Sequence, residues 1–282
     1  MTTRENSARF AAPNLDVPTE EQNAQVTAEN PVGLSYVVPT ELVELPTKGL
    51  FYPSGHPLHN KQEIEIKAMT AKEEDLLVNK SLLKKGIALD RVLQSIIVDK
   101  NIRLGDLFIG DKNAVIIAAR SSAYGSDYNT SVSCPSCMTT QKYSFDLEDK
   151  NIKYIDEAVD HGVETTDRGT LLLTLPRSKV VVEAKLLNGH DEGHLITKNK
   201  KSDASLTDQF KAFIVSVNDV TDPQMVHQFI DVMPAFDSKY LRETYSKVVP
   251  NIDLTQYFEC SNCGHSQDME VPFTVEFFWP RS

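Results

Sequence analysis

The chain has 282 residues, of which 40% are apolar, and carries a formal net charge of −11. That length can bury one large core or two smaller ones, while the acidic balance repels phosphate backbones, so nucleic-acid binding would require a dense basic patch. No run reaches the roughly 18 apolar residues of a membrane span, and residues 1–30 lack the apolar centre of an export signal.

Residues 1–40 read as a flexible N-terminal arm, because Pro13, Pro18, Pro31 and Pro39 punctuate a stretch with few large apolar side chains to offset the entropy of ordering it. Residues 41–127 read as a helix-rich segment with short strands. Leu45 to Pro53 is extended and turn-rich with apolar anchors, and the alternation at Ile64 and Ile66 suits a strand. Thr70 and Glu73 form a capping box that opens a helix, and Gly86 stops it after Lys84 and Lys85. Leu89, Val92, Leu93, Ile96 and Ile97 mark one face of a second helix. Asp111 is placed to cap a third, nearly apolar element through Val115, Ile117 and Ala119 that ends near Tyr124 and Gly125.

The only four cysteines form two pairs of the same spacing, Cys134-Pro135-Ser136-Cys137 and Cys260-Ser261-Asn262-Cys263. Each turn places two sulfurs on one side of a bend, so two such turns brought together supply four thiolates to a tetrahedral Zn²⁺. Four sulfur ligands leave no coordination position for water or substrate, which makes the expected Zn²⁺ structural. Residues 138–259 lie between the pairs, which excludes a compact stand-alone finger. Tyr128 to Ser133, Gln141 to Leu147, Tyr257 with Phe258, and Met269 to Val275 read as flanking strands, and His265 and His161 are candidates for an outer shell. Reduced thiols without a metal are the second reading. Disulfides need an oxidising compartment, and a redox dithiol needs a strand-to-helix junction that neither pair shows.

Within the insertion, Leu171, Leu173 and Leu175 precede Pro176, and Val180, Val182 and Ala184 alternate again, as in a hairpin. Leu206, Phe210, Phe213, Ile214 and Val217 predict one amphipathic helix, and Val226, Phe229, Ile230 and Met233 a second. Pro234 separates the latter from a third through Phe236, Tyr240, Leu241 and Val248. The predicted fold class is therefore α+β. It has a helical N-terminal part, a discontinuous zinc-ribbon-like element over 128–147 and 256–275, an α+β insertion over 148–255 and an aromatic C-terminal tail over 276–282.

Catalytic patterns are absent. His190 and His194 are spaced to share a zinc ion on a helix, but Asp191 and Glu192 fall at neither position that a metalloprotease base occupies, and Gly189 and Gly193 weaken the helix. A polar turn and helix start is the simpler reading, with a zinc-dependent hydrolase the least favoured function. Lys198, Lys200 and Lys201 have no aromatic residues among them and read as a solvated loop. A zinc-ribbon adaptor for proteins or nucleic acid is the intermediate alternative. Phe277-Phe278-Trp279-Pro280 reads as core before docking plug.

Several stretches, in this order, resemble the baseplate protein family of T-even-type contractile-tailed phages. They are Leu45 to Pro53, Glu73 to Leu77 with Ser81 to Gly86, Ile109 to Asp111 with Ala119 to Gly125, Cys134 to Cys137, and Leu175-Pro176 followed by Leu186 to Glu192. The resemblance implies a non-enzymatic structural or assembly protein of the central baseplate hub, either a hub subunit or a hub-assembly chaperone. It implies other baseplate or tail hub proteins as partners, no small-molecule substrate, and residence in the host cytoplasm during assembly or in the virion tail. It carries no partner-contact residues onto this chain.

Overall fold

The computed structural model describes residues 38–155, 161–199, 205–272 and 277–278. Of the expected arm, residues 1–37 lie outside this range, as do Lys200, Lys201 and Trp279. Among the described residues the protein is mixed α/β, with eight helices and several small antiparallel sheets.

Two cores organise these elements. In the first, β1 (Thr40–Glu44) pairs with β2 (Glu63–Lys67), setting Val43 opposite Ile64 on the buried side. Thr70 opens α1 (Ala71–Val78) as expected: the Glu73 carboxylate accepts the Thr70 N–H at 3.0 Å. The helix does not run through to Gly86. Asn79 interrupts it, and its Oδ1 accepts the Ser81 and Leu82 N–H groups at 3.0 and 3.2 Å to start α2 (Lys80–Lys85), which Gly86 ends in a left-handed conformation. A local side-chain cap has replaced two intrahelical bonds, which is why periodicity misses the break. The expected face of α3 (Ala88–Ile96) is buried through Val92, Leu93 and Ile96.

The central helix α4 (Ile109–Tyr124) carries a second correction. Asp111 is not its cap but lies inside the first turn, fully buried, where it accepts the Thr47 N–H (3.0 Å), the Thr47 hydroxyl (2.6 Å) and the Tyr52 hydroxyl (2.8 Å). The turn-rich Leu45 to Pro53 segment is thereby bolted onto α4. Gly49 is required in that segment, because at φ 71° a Cβ would lie 2.3 Å from the Lys61 carbonyl oxygen. At the other end of α4 the buried Arg120 donates to the carbonyls of Phe277 (2.6 Å), Gly125 (2.7 Å) and Asp127 (3.2 Å). Phe277 and Phe278 are core residues, as expected.

The second core is built mostly by residues 155–248, with Phe51 joining it from the N-terminal half. A four-stranded sheet runs in the order β6 (Glu164–Thr165), β7 (Thr170–Thr174), β8 (Val181–Lys185), β9 (Ile214–Val217). The expected hairpin is β7 with β8, Leu173 opposite Val182. The Gly189-His190 start of α5 (Gly189–Asn199) follows β8. α6 (Leu206–Phe213) stops four residues earlier than the helix expected through Val217, since Ile214 to Val217 forms β9. Apolar positions 210, 213, 214 and 217 satisfy a helical period, yet the Ile-Val-Ser-Val run is β-rich and the free edge of β8 offers it a ladder. α7 (Pro223–Val232) and α8 (Ala235–Val248) bury Val226, Ile230, Leu241 and Val248 in this core. The Asp237 carboxylate accepts the Arg177 and Ser178 N–H groups at 2.8 and 2.9 Å, closing the β7–β8 turn.

A short antiparallel neck, β5 (Asn151–Lys153) beside β10 (Asn251–Asp253) with Ile152 opposite Ile252, flanks the residues of this second core, which also meet the N-terminal half through a bridge between Phe108 and Asn188. Gly110 on α4 lets this neck approach, because a Cβ there would sit 2.1 Å from the Pro250 carbonyl oxygen.

Candidate metal centre

Each cysteine pair occupies the turn of a hairpin, and the two turns share a hydrogen-bond pattern. β3 (Asp127–Ser133) and β4 (Thr140–Asp146) end in register at Ser133 and Thr140, while β11 (Thr255–Glu259) and β12 (Ser266–Glu270) end at Glu259 and Ser266. In the first turn Cys134 N–H donates to the Thr139 carbonyl (3.0 Å) and Met138 N–H to the Cys134 carbonyl (2.9 Å). The second repeats this with Cys260 to His265 (2.8 Å) and Gly264 to Cys260 (2.9 Å). Both turns need a left-handed residue after the second cysteine. Gly264 supplies it at φ 69°, and Met138 adopts it at φ 57° with its side chain exposed.

The four Sγ atoms lie within 4.8 Å of one another, with Cys134 to Cys263 at 3.8 Å and Cys137 to Cys260 at 3.7 Å. A disulfide requires about 2.05 Å. Four sulfurs about 2.3 Å from a central Zn²⁺ would stand about 3.8 Å apart, so the donor set and its spacing fit that ion. Cys134 and Cys260 form the buried half, Cys137 and Cys263 the outer half. The Thr139 hydroxyl and N–H and the Asn262 amide bring the Cys137 thiol down to about 5. The N–H of His265 pulls Cys263 the same way, but burial and the crowding of the other three thiols prevail and push it up to about 11.

Side chains, not a shared ladder, join the two hairpins. Gln141 donates to the Glu259 carbonyl (3.0 Å) and accepts from the Ser261 N–H and hydroxyl (both 2.9 Å), while Asn262 donates to the Thr139 hydroxyl (3.1 Å). Tyr143 donates to the Tyr257 carbonyl (2.8 Å) and its ring packs 5.2 Å from Phe258. Beneath the sulfurs Tyr128, Val132, Phe145 and Phe258 belong to the first core. Sequence reasoning did not find Gln141, Thr139 or Asn262. The only available signal was their position within four residues of a cysteine.

Among the described residues, the four cysteines are the only group of three or more His, Cys, Asp or Glu side chains placed to hold one ion. Of the expected outer-shell histidines, His265 contributes its backbone carbonyl to the second turn and turns its Nε2 to Gln267 (3.2 Å), and His161 is exposed. His190 and His194 are exposed at the start of α5, where the His190 Nε2 meets Asp106 Oδ1 at 3.1 Å. No described helix is long and apolar enough to cross a membrane.

The protein is thus a mixed α/β chain whose distant hairpins converge on a four-cysteine centre. It matches the family described as T4 bacteriophage base plate protein over residues 52–279. That span is well over half of the chain, so the chain belongs to this family and is a phage baseplate protein. The match includes all four cysteines and extends well beyond Glu192, where the resembling stretches end. Nothing among curated proteins or solved structures matches the chain.

Proposed function

We propose that this protein is a non-catalytic part or assembly factor of the central baseplate hub, held together by a structural Zn²⁺ bound to Cys134, Cys137, Cys260 and Cys263. The observation that carries this reading is the four-sulfur cluster, whose donors close the coordination sphere and leave the metal nothing to react with. In this reading the ion clamps the ribbon-like element over 128–147 and 256–275, and the insertion over 148–255 hangs from it. Other baseplate or tail hub proteins are the partners. The protein works in the host cytoplasm during assembly, and as a hub subunit it would stay in the virion tail.

Metal content per chain, measured on the purified protein, should be one zinc and should fall in Cys137→Ser and Cys260→Ser alike. Mass spectrometry of mature virions separates the two roles. Stoichiometric presence marks a hub subunit, whereas absence together with defective hubs in a deletion marks a chaperone. Intact tail assembly after deletion would sink both.

A further inference from the structure

Among the described residues, the first strand has an edge that no other strand covers, above a groove. Among these residues β1 pairs only with β2, and the bonds from Leu45 N–H to Gln62 and from Ala68 N–H to Pro39 (both 2.8 Å) fix which residues face that partner. In an antiparallel ladder with this register, the odd-numbered residues bond inward. The N–H and C=O groups of Thr40, Leu42 and Glu44 therefore point away from β2. Leu42 is 65% exposed. Such an edge is a template for another strand.

Beside it lies a groove of about 360 Å³ between β1, α4 and the insertion's neck. Its apolar lining comes from Ala114, Ile117, Ala118, Ile152 and Ile252. Two polar atoms within the lining, Glu41 Oε1 and Ser121 Oγ, are buried with no hydrogen-bond partner among the described residues. Glu41, Glu44 and Glu148 line it against a single lysine, Lys150, and Glu44 is already engaged by the Tyr154 hydroxyl at 2.6 Å. A desolvated acceptor without a donor, set beside an open ladder edge, calls for a strand that brings a cation.

We propose that β1 receives an extended segment of another protein, which adds to Thr40, Leu42 and Glu44 by backbone pairing and places a lysine or arginine on Glu41 and Ser121, flanked by small apolar side chains. This stands apart from the zinc reading, since no cysteine lines the groove.

The test uses the full chain and an acetylated nonapeptide of alternating Thr and Val with Lys at its centre, followed by fluorescence anisotropy. The Lys peptide should bind saturably, and its Glu-centred analogue about tenfold more weakly or worse. Leu42→Pro removes an N–H that the β1–β2 ladder does not use, so it should weaken binding by about tenfold while the circular dichroism spectrum is retained. Glu41→Gln, which leaves the backbone edge intact, should narrow the difference between the two peptides. Absence of binding, equal binding of both peptides by the wild type, or wild-type affinity in a folded Leu42→Pro variant would each overturn the proposal. So would slow hydrogen exchange at the Leu42 and Glu44 amides of the free protein, because the edge would then already be filled by the chain's own residues or by a second copy.

Discussion

The two-hairpin centre and the insertion's sheet are both small β structures, yet they hold together in different ways. β7 and β8 rest on an apolar layer that includes Leu171, Leu173, Leu175, Phe210, Ile230 and Leu241, and burying such side chains stabilises by about 1.5–3 kcal/mol each. The cysteine hairpins bury Tyr128, Val132, Phe145 and Phe258 in the first core, but around the sulfurs they join through polar contacts at their surface, among them Gln141 to Ser261 and Asn262 to Thr139. Exposed hydrogen bonds of that kind are net contributors of about 1 kcal/mol. The proposed Zn²⁺ would therefore matter far more at the cysteine turns than anywhere in the second region.

The strongest way to break this contrast is to deny the cysteines the proposed ion. Chelation, or Cys137→Ser, should destabilise the protein by at least about 4 kcal/mol, given the 10–16 kcal/mol that zinc contributes in isolated fingers. Amide exchange should rise in β3, β4, β11 and β12 before it rises in β7 and β8. Equal melting temperatures for wild type and variant would remove the clamp from the account. The reciprocal substitution, Leu241→Ala, opens a cavity in the insertion's core at a fully buried position and should cost about 3–4 kcal/mol. Exchange should then rise in β7 and β8, with zinc content unchanged.

A third measurement concerns the bolt between the turn-rich segment and α4. Burial pushes the Asp111 carboxyl up from 3.8 to about 6, despite the hydrogen bonds from Thr47 and Tyr52 that oppose the shift. The folded state thus holds a proton that the unfolded state lacks between those two values. Stability from this group is full below 3.8 and is lost as pH rises through about 6, by at most about 3 kcal/mol. Asp111→Asn should fold and should flatten the melting temperature across that window; an unchanged pH profile would show that Asp111 does not titrate there. The smallest effect is expected at Met138, whose left-handed backbone matches that of Gly264. Met138→Gly should relieve that strain and raise stability by about 0.5–1 kcal/mol, read by denaturant midpoint.

Local chemistry made much of this legible. The cysteine turns and the strands at Tyr128 to Ser133, Gln141 to Leu147 and Leu171 to Leu175 are short-range patterns, and each appears as a strand or turn where expected. Where two local readings competed, the sequence could not choose. Ile214 to Val217 fits a helix until an unpaired strand lies beside it, and Asp111 fits a cap until Thr47 and Tyr52 arrive from across the chain.

By itself the sequence determined that four sulfurs were available in two matched bends, that the surrounding segments alternate as strands, and that the ordered motifs belong to a baseplate protein. Only the tertiary structure decided that those bends meet, that β5 and β10 pair across about a hundred residues of chain, and that a carboxylate at position 111 is buried. The reason is range: hydrogen-bond and side-chain preferences within one turn are written in neighbouring residues, whereas convergence and burial depend on which distant surfaces exclude water from each other.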